Sequence, residues 1–366
     1  MGFLNMHNAF DGPTKPLHVL EVTAVENPSD PEETPAYLSN LAYRVDSFAR
    51  YYVADGNLIQ LGFRILRYLA FSRPNVIISN EYRRSFFVNI SLMILRRDTI
   101  HIVVGMNLSA KPLQTKINFF DYLINKIFEK STKIVVHSRY EASLFSALHK
   151  LPIGRFAFSH WGYDLPQLTS DRFSGPRAPY VCMVGRNNRD LETFAKAVEL
   201  AGIHGVAIIP AYVPVDPMLE RSLEIHRNLP LADCIDCIRN SKINLTLLRD
   251  DQRGAGHITV VTALHLGVPQ IHSDAQFLKE YVPFAFLSAP VPIGDAQSVA
   301  NQILAILKGE PTDAQAKRKE FAERWLSHAS AMRRLGEIVL ASVDHKELSL
   351  TDPEWDQWLD DERRQS

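Results

Sequence analysis

Short runs of β-branched residues alternate with amphipathic segments along almost the whole chain, and this alternation limits the fold more than any other feature. Each run has the length of a buried strand and each interval has the length of a helix, the sequence form of βα units wound around a parallel sheet. A first series puts strands at 17–22, 76–79, 100–104, 133–136 and 155–159. A second puts them at 180–184, 206–209, 243–248, 270–272 and 285–287. The clearest helix is Lys116–Glu129, where Ile117, Phe120, Leu123, Ile124, Ile127 and Phe128 form one apolar face.

A polar stretch with Pro and Gly, Leu168–Pro179, separates the two series. The spacing therefore predicts an α/β protein of two Rossmann-like domains facing each other across a cleft: 1–170, a linker at 171–179, 180–342, and a tail at 343–366. The tail is expected to hold a short docked helix around Trp355 and Trp358 and then a frayed end. At 366 residues with 46% hydrophobic content, each half can bury a core of its own.

Charge is balanced overall but not locally. Residues 40–160 hold 17 Lys and Arg against 7 Asp and Glu, leaving 23 against 34 for the rest of the chain. One part of the molecule is thus basic, which suits either an anionic membrane surface or an acidic acceptor, or simply a solvated face. Neither half has the strong basic excess of a nucleic-acid partner, and none is expected. Three cysteines are too few for a disulfide framework and fit a reducing compartment. Cys234 and Cys237 have metal or redox spacing, but no second pair accompanies them. Their apolar-periodic surroundings, Leu231, Ile235 and Ile238, predict a helix that uses both as small core residues. The start of the chain lacks the basic and apolar regions of a signal peptide, and no apolar run is long enough to span a bilayer. A cytoplasmic protein is expected, with peripheral contact at the inner membrane face as a further option.

Two segments carry chemistry. The first is Arg253-Gly-Ala-Gly-His-Ile-Thr-Val-Val-Thr-Ala-Leu-His-Leu-Gly-Val-Pro269. Here a strand runs into a Gly-rich loop at Gly254 and Gly256, and a helix follows that stops at Gly267. Glycines let backbone approach a ligand, and a helix start offers unpaired N–H groups to a phosphate. The second is Tyr180-Val-Cys-Met-Val-Gly185 followed by Arg186 and Arg189. Two guanidinium groups at the carboxyl edge of a strand suit a diphosphate, with Gly185 leaving room; the plainer alternative is a solvated pair bridging to Asp190 or Glu192.

The order of these parts resembles the donor domain of GT-B glycosyltransferases, most closely the glycosyl-transferase group 1, or glycogen-synthase-like, superfamily. First-half segments fit as well: Pro74-Asn-Val-Ile-Ile-Ser79, Lys133-Ile-Val-Val-His-Ser-Arg-Tyr-Glu-Ala142, and His160-Trp-Gly-Tyr-Asp164 before the linker. The resemblance spans roughly residues 70–335. It implies an acceptor-binding first domain and a second domain that binds a nucleotide-sugar co-substrate of UDP or GDP type through Gly185, Arg186, Arg189, Arg253, Gly254, Gly256, Ile258, Thr259 and Thr262. Many relatives have two Glu residues eight positions apart around the donor helix, one near the sugar and one on the ribose. Here Gly254 and Thr262 stand in those places, so the ribose falls to Thr262 or Thr259, and the sugar to the Gly254–His257 backbone and the His257 ring, which is the expected catalytic donor or proton carrier.

Glycosyl transfer needs fixed positive charge at the leaving diphosphate, and Arg186, Arg189 and the helix start near Gly256 can supply it without a metal. No Asp-x-Asp pair is present. In the first domain, Asn80 and Glu81 follow one strand and Asn107 follows another, which points them into the cleft. Glu81 is the expected base for an acceptor hydroxyl, its alternative role being a surface pair with Arg83 or Arg84. Trp161 is expected to line the hinge or acceptor cleft, and His137 to pack at its strand end. The reading is a transferase acting on a glycan, glycolipid or other small acceptor, as in polysaccharide biosynthesis. The missing carboxylates keep open a catalytically silent binder of nucleotide sugar or glycan, or a sugar-nucleotide epimerase. A dinucleotide oxidoreductase is disfavoured, because no Gly-x-Gly-x-x-Gly follows the first strand.

Overall fold

The computed structural model describes residues 17–23, 45–53, 57–105, 119–166, 173, 175–176, 178–251, 254–346 and 350–365. Asn107, Arg253, residues 116–118 and residues 171, 172, 174 and 177 of the expected linker lie outside the described residues. In chain order the first half contains β1 (Leu17–Thr23), β2 (Val45–Tyr52), α1 (Leu58–Phe71), β3 (Val76–Asn80), α2 (Tyr82–Ile94), β4 (Ile100–Val104), α3 (Phe119–Phe128), β5 (Lys133–Val136), α4 (Arg139–His149) and β6 (Phe156–Phe158). The second half follows with β7 (Tyr180–Val184), α5 (Leu191–Ala201), β8 (His204–Ile209), β9 (Leu223–Arg227), α6 (Leu231–Asn240), β10 (Ile243–Thr246), α7 (His257–Leu266), β11 (Gln270–Ser273), α8 (Gln276–Lys279), β12 (Ala289–Val291), α9 (Ala296–Leu307) and α10 (Ala314–Trp325). Two further helices close the chain, α11 (His328–Val343) and α12 (Pro353–Gln365).

Among the described residues each half is a six-stranded sheet, ordered β2-β1-β3-β4-β5-β6 and β12-β11-β10-β7-β8-β9, and every ladder between these strands is parallel. Central strand β7 is buried along its length and β3 nearly so, which is why they read as largely apolar runs. The edge strands β2 and β9, Val-Asp-Ser-Phe-Ala-Arg-Tyr-Tyr and Leu-Glu-Ile-His-Arg, carry polar residues because only one side of each is paired, and they escape a search for apolar runs. The last strand is at Ala289–Val291 and not at 285–287; Pro290 is accommodated because β12 is an edge. Residues 285–287 form turns, with Phe284 stacked on Phe286.

The chain crosses back at its end. Leu335, Ile338 and Val339 of α11 pack against Val19, Val76 and Ile102 of the first sheet, although sequence order sets α11 beside the second series. Helix α12 runs to Gln365, longer than a short docked helix, and buries Trp355 against Phe321 and Trp325 of α10. Cys237 is buried in α6 and Cys234 partly so; burial pushes the Cys234 thiol up to about 11, and the neighbouring Cys182 thiol together with burial pushes that of Cys237 higher still, as expected of core cysteines. No described helix is long and apolar enough to cross a membrane.

Candidate functional site

The Gly-rich segment folds as its sequence suggests. Gly256 caps α7 at φ 96°, Gly267 ends it at φ 72°, and the helix between them is buried from Thr259 to Leu264. A Cβ at residue 256 would lie 2.5 Å from Thr246 Cγ2, so a side chain is excluded by space as well as by dihedral. The first helical bond is Val260 N–H to the Gly256 carbonyl, which leaves the His257, Ile258 and Thr259 amides without intrahelical partners.

Arg189 stands directly behind this helix start. Its side chain folds back over Gly185, where a Cβ would meet the guanidinium at 2.2 Å. The room that Gly185 leaves is therefore taken by Arg189 itself. Nε donates to the Val184 carbonyl at 3.2 Å, Nη1 to the Asn187 carbonyl at 3.0 Å, and Nη2 to Thr259 Oγ1 at 3.3 Å. Thr259 in turn donates to the Val184 carbonyl at 3.1 Å. Arg189 is only 8% exposed, and among the described residues no carboxylate pairs with it. Burial without a counter-ion lowers its pKa to about 10, still charged at neutral pH. Arg186, by contrast, is exposed. A Cβ at Gly256 would lie 3.7 Å from Arg189 Nη1, so the buried cation and the free amides adjoin one another.

His257 opens α7 and faces the first domain. Its ring is 5.8 Å from Tyr281, 5.7 Å from Trp161 and 6.2 Å from His137 between centroids. Desolvation, with help from His137 and Arg189, lowers its pKa to about 3, so the ring is neutral. His137 is also held below its usual range by burial. Its Nδ1–H donates to the Ser159 carbonyl at 3.1 Å, which fixes the tautomer and leaves Nε2 as an acceptor 4.0 Å from where a Gly105 Cβ would sit.

The remaining expected residues divide by setting. Ile258 is exposed on the first turn of α7. Thr262 is 3% exposed, with its hydroxyl bonded to Tyr163 Oη and to the Ile258 carbonyl. Trp161 lies in the inter-domain seam, donating its backbone N–H to Tyr281 Oη at 2.8 Å. Asn80 Nδ2 donates to Glu21 Oε1 at 3.1 Å, and Glu21 pairs with Arg50. Glu81 links β3 to α2 with φ 69° and ψ 151°, a conformation that a side chain adopts at a cost of about 1–3 kcal/mol and that concentrates at functional sites. Its exposed carboxylate pairs with the fully buried Arg84.

Three groups escape the sequence reading. Glu280 of the second domain accepts from the Arg139 and Tyr140 amides at 2.8 and 3.1 Å, capping α4 of the first. Tyr281 Oη donates to the His137 carbonyl at 2.8 Å. Glu141, in the first turn of α4, places Oε1 2.1 Å from where a Gly254 Cβ would be, so a first-domain carboxylate fills the side-chain space of the Gly-rich loop. The glycine at 254 was the only signal for it, since a partner from another element does not show in local sequence. Among the described residues no three His, Cys, Asp or Glu gather as a metal site.

Solved structures share this architecture. A glycosyltransferase from Rickettsia africae superposes with a TM-score of 0.64 at 12% identity, over 90% of this chain and 98% of that one. The chain has the GT-B fold. Sucrose-phosphate synthase from Thermosynechococcus elongatus matches with a TM-score of 0.62 at 13% identity, over 90% and 100% of the two chains. Anabaena HepE in complex with UDP matches at 0.61 and 11%, over 89% and 100%. At such identities the GT-B likeness is one of fold. No family model matches the chain, and no curated protein matches it in sequence.

Proposed function

We propose that the protein is a glycosyltransferase that moves a sugar from a UDP- or GDP-type nucleotide sugar to a glycan, glycolipid or other small acceptor. The supporting observation is Arg189, a nine-tenths buried guanidinium without a carboxylate partner among the described residues, set beside the α7 amides that lack intrahelical partners. A diphosphate supplies the missing counter-charge there, and a pre-seated cation stabilises the leaving group without reorganisation. Arg186 adds charge from the exposed side. HepE, of the same fold, has been solved with UDP and with UDP-glucose.

In this reading the sugar lies over Gly254–His257, with Glu141 and the neutral His257 ring beside it. Neutrality of His257 keeps a second positive charge away from an oxocarbenium-like centre. Glu81, on its strained strand end, takes the proton of the acceptor hydroxyl, and the cations rather than a metal carry the phosphate charge. A silent binder is the second reading, motivated by Gly254 and by the Thr262 hydroxyl already bonded to Tyr163.

The test is a thermal-shift panel of UDP, GDP, ADP, CMP and NAD on wild type and Arg189→Ala. A bound ligand raises apparent stability by about 2.7 kcal/mol at one hundred times its dissociation constant. A shift with one nucleoside diphosphate, lost in the variant, supports the site; absence of any shift overturns it. Nucleoside diphosphate release that needs an acceptor then marks a transferase, release without one a hydrolase or epimerase, and binding without release the silent protein.

A further inference from the structure

Helix α1 is amphipathic with its sides used differently. Leu61, Ile65 and Leu69 are buried against Leu20, Ile77 and Val88. On the outer side Ile59, Phe63, Arg67 and Phe71 recur every four residues, and the three apolar ones are 79%, 64% and 85% exposed. A helix that needs only to cover a sheet has no use for two exposed phenylalanines, and a water-facing row of this kind marks an interaction surface.

The charge around the row is of one sign. From Asn57 to Asn80 the chain has three arginines, Arg64, Arg67 and Arg73, and no Asp or Glu. All three are exposed, and among the described residues none pairs with a carboxylate. Beside the helix, Tyr51 and Tyr52 of the edge strand β2 join Phe63, Arg64, Arg67 and Phe71 around an open groove of about 690 Å³. Tyr51 stacks on Tyr68 at 4.1 Å, which holds one wall of the groove.

We infer that the outer face of α1 is a docking surface for an anionic phospholipid bilayer, with Ile59, Phe63 and Phe71 entering the interface and Arg64, Arg67 and Arg73 meeting lipid phosphates. Apolar side chains at the acyl boundary flanked by cations are what an interfacial helix requires, and each Arg adds attraction to an anionic leaflet. A second copy of the chain fits this face poorly, because symmetric contact would set three unpaired arginines against three others. The surface deepens the lipid-linked part of the acceptor reading. Vesicle binding needs no donor, so the two can fail separately.

The experiment is co-sedimentation of the full chain with vesicles of phosphatidylcholine, with and without phosphatidylglycerol. Binding is expected with the anionic vesicles, weakening as salt rises. Phe63→Ser/Phe71→Ser and Arg64→Glu/Arg67→Glu should each lower it by more than about tenfold. All four positions are solvent-exposed, so unchanged melting of the variants shows that folding is not the cause. No binding, binding equal in the variants, or concentration-dependent dimerisation of wild type that the variants lose would overturn the proposal. The last outcome would assign the face to another protein surface.

Discussion

The two domains repeat one architecture yet present charge to the cleft by different means. The second seats Arg189 in a pocket made by Gly185, main-chain carbonyls and Thr259, next to a helix start opened by Gly256. The first sends the Glu141 carboxylate across to Gly254, while its Glu81, strained just after β3, pairs with the buried Arg84. Behind Glu81 lies a buried polar chain in which Ser79 meets His101 Nε2 at 2.7 Å, His101 Nδ1 meets Asn89 at 2.7 Å, and Asn89 donates to Ser131 at 2.8 Å. A fixed cation on one wall and a carboxylate on the other are what the proposed transfer calls for.

Acid should produce the largest effect and can break the pairing of the domains. Burial lowers His101 and His257 to about 3 and His160 and His272 to about 4, two imidazoles in each domain. The unfolded chain takes up these protons below its ordinary pKa of about 6.5, whereas the folded chain refuses them until about 4 or lower. Stability is thus fully present above about 6.5 and is lost as pH falls toward 4, by several kcal/mol in all. Calorimetry from pH 7 to 4 should show one transition moving down; a first domain that melts away separately would show that the seam through Glu280 and Tyr281 does not couple the halves.

Gly256→Val should be next in size. It forces a β-branched residue to φ 96° and drives a Cβ toward Thr246, at a cost of about 3 kcal/mol or more in denaturant unfolding. A variant as stable as wild type would mean that the α7 start is pliable, and the contrast between a rigid second-domain wall and a strained first-domain wall would fall.

The segment around α7 was the most legible, although the same domain hid β9 and displaced its last strand. Strand, Gly-rich turn and helix are neighbours in sequence, so the limits of α7 could be read from Gly256 and Gly267, and Gly185 and Arg189 from five adjacent positions. The use made of Gly185 was not legible, because whether a glycine admits a ligand or a neighbouring side chain depends on a rotamer. In the first domain, β2 was hidden by its one-sided pairing and Glu141 by lying on a helix rather than at a strand end. His137 could be placed at the end of β5, but the carbonyl that sets its tautomer comes from Ser159, twenty-two residues away.

Arg189→Ala should weaken nucleoside diphosphate binding by about 2–3 kcal/mol, since it removes a charge-assisted contact from a desolvated site, while Arg186→Ala should cost about 1 kcal/mol or less. Isothermal titration with whichever nucleotide shifts the melting point reads both. Equal losses would place the diphosphate at the exposed arginine and leave Arg189 a packing residue.

The smallest effect is also the most specific to the seam. If Glu141 serves the transferred sugar, Glu141→Gln should leave the affinity for the nucleoside diphosphate unchanged and weaken that for its glucose conjugate by about 1.4 kcal/mol, roughly tenfold, the worth of one charge-assisted hydrogen bond to a hydroxyl. Gly254→Ala should act in the same direction by another route, since its methyl group occupies the carboxylate's place and pushes Glu141 out. Loss in the first variant without loss in the second would mean that the carboxylate acts from somewhere other than the Gly254 notch. Loss of diphosphate binding in both would show that Glu141 holds the two walls together rather than touching the sugar. The pair thereby separates a chemical role from a latching one.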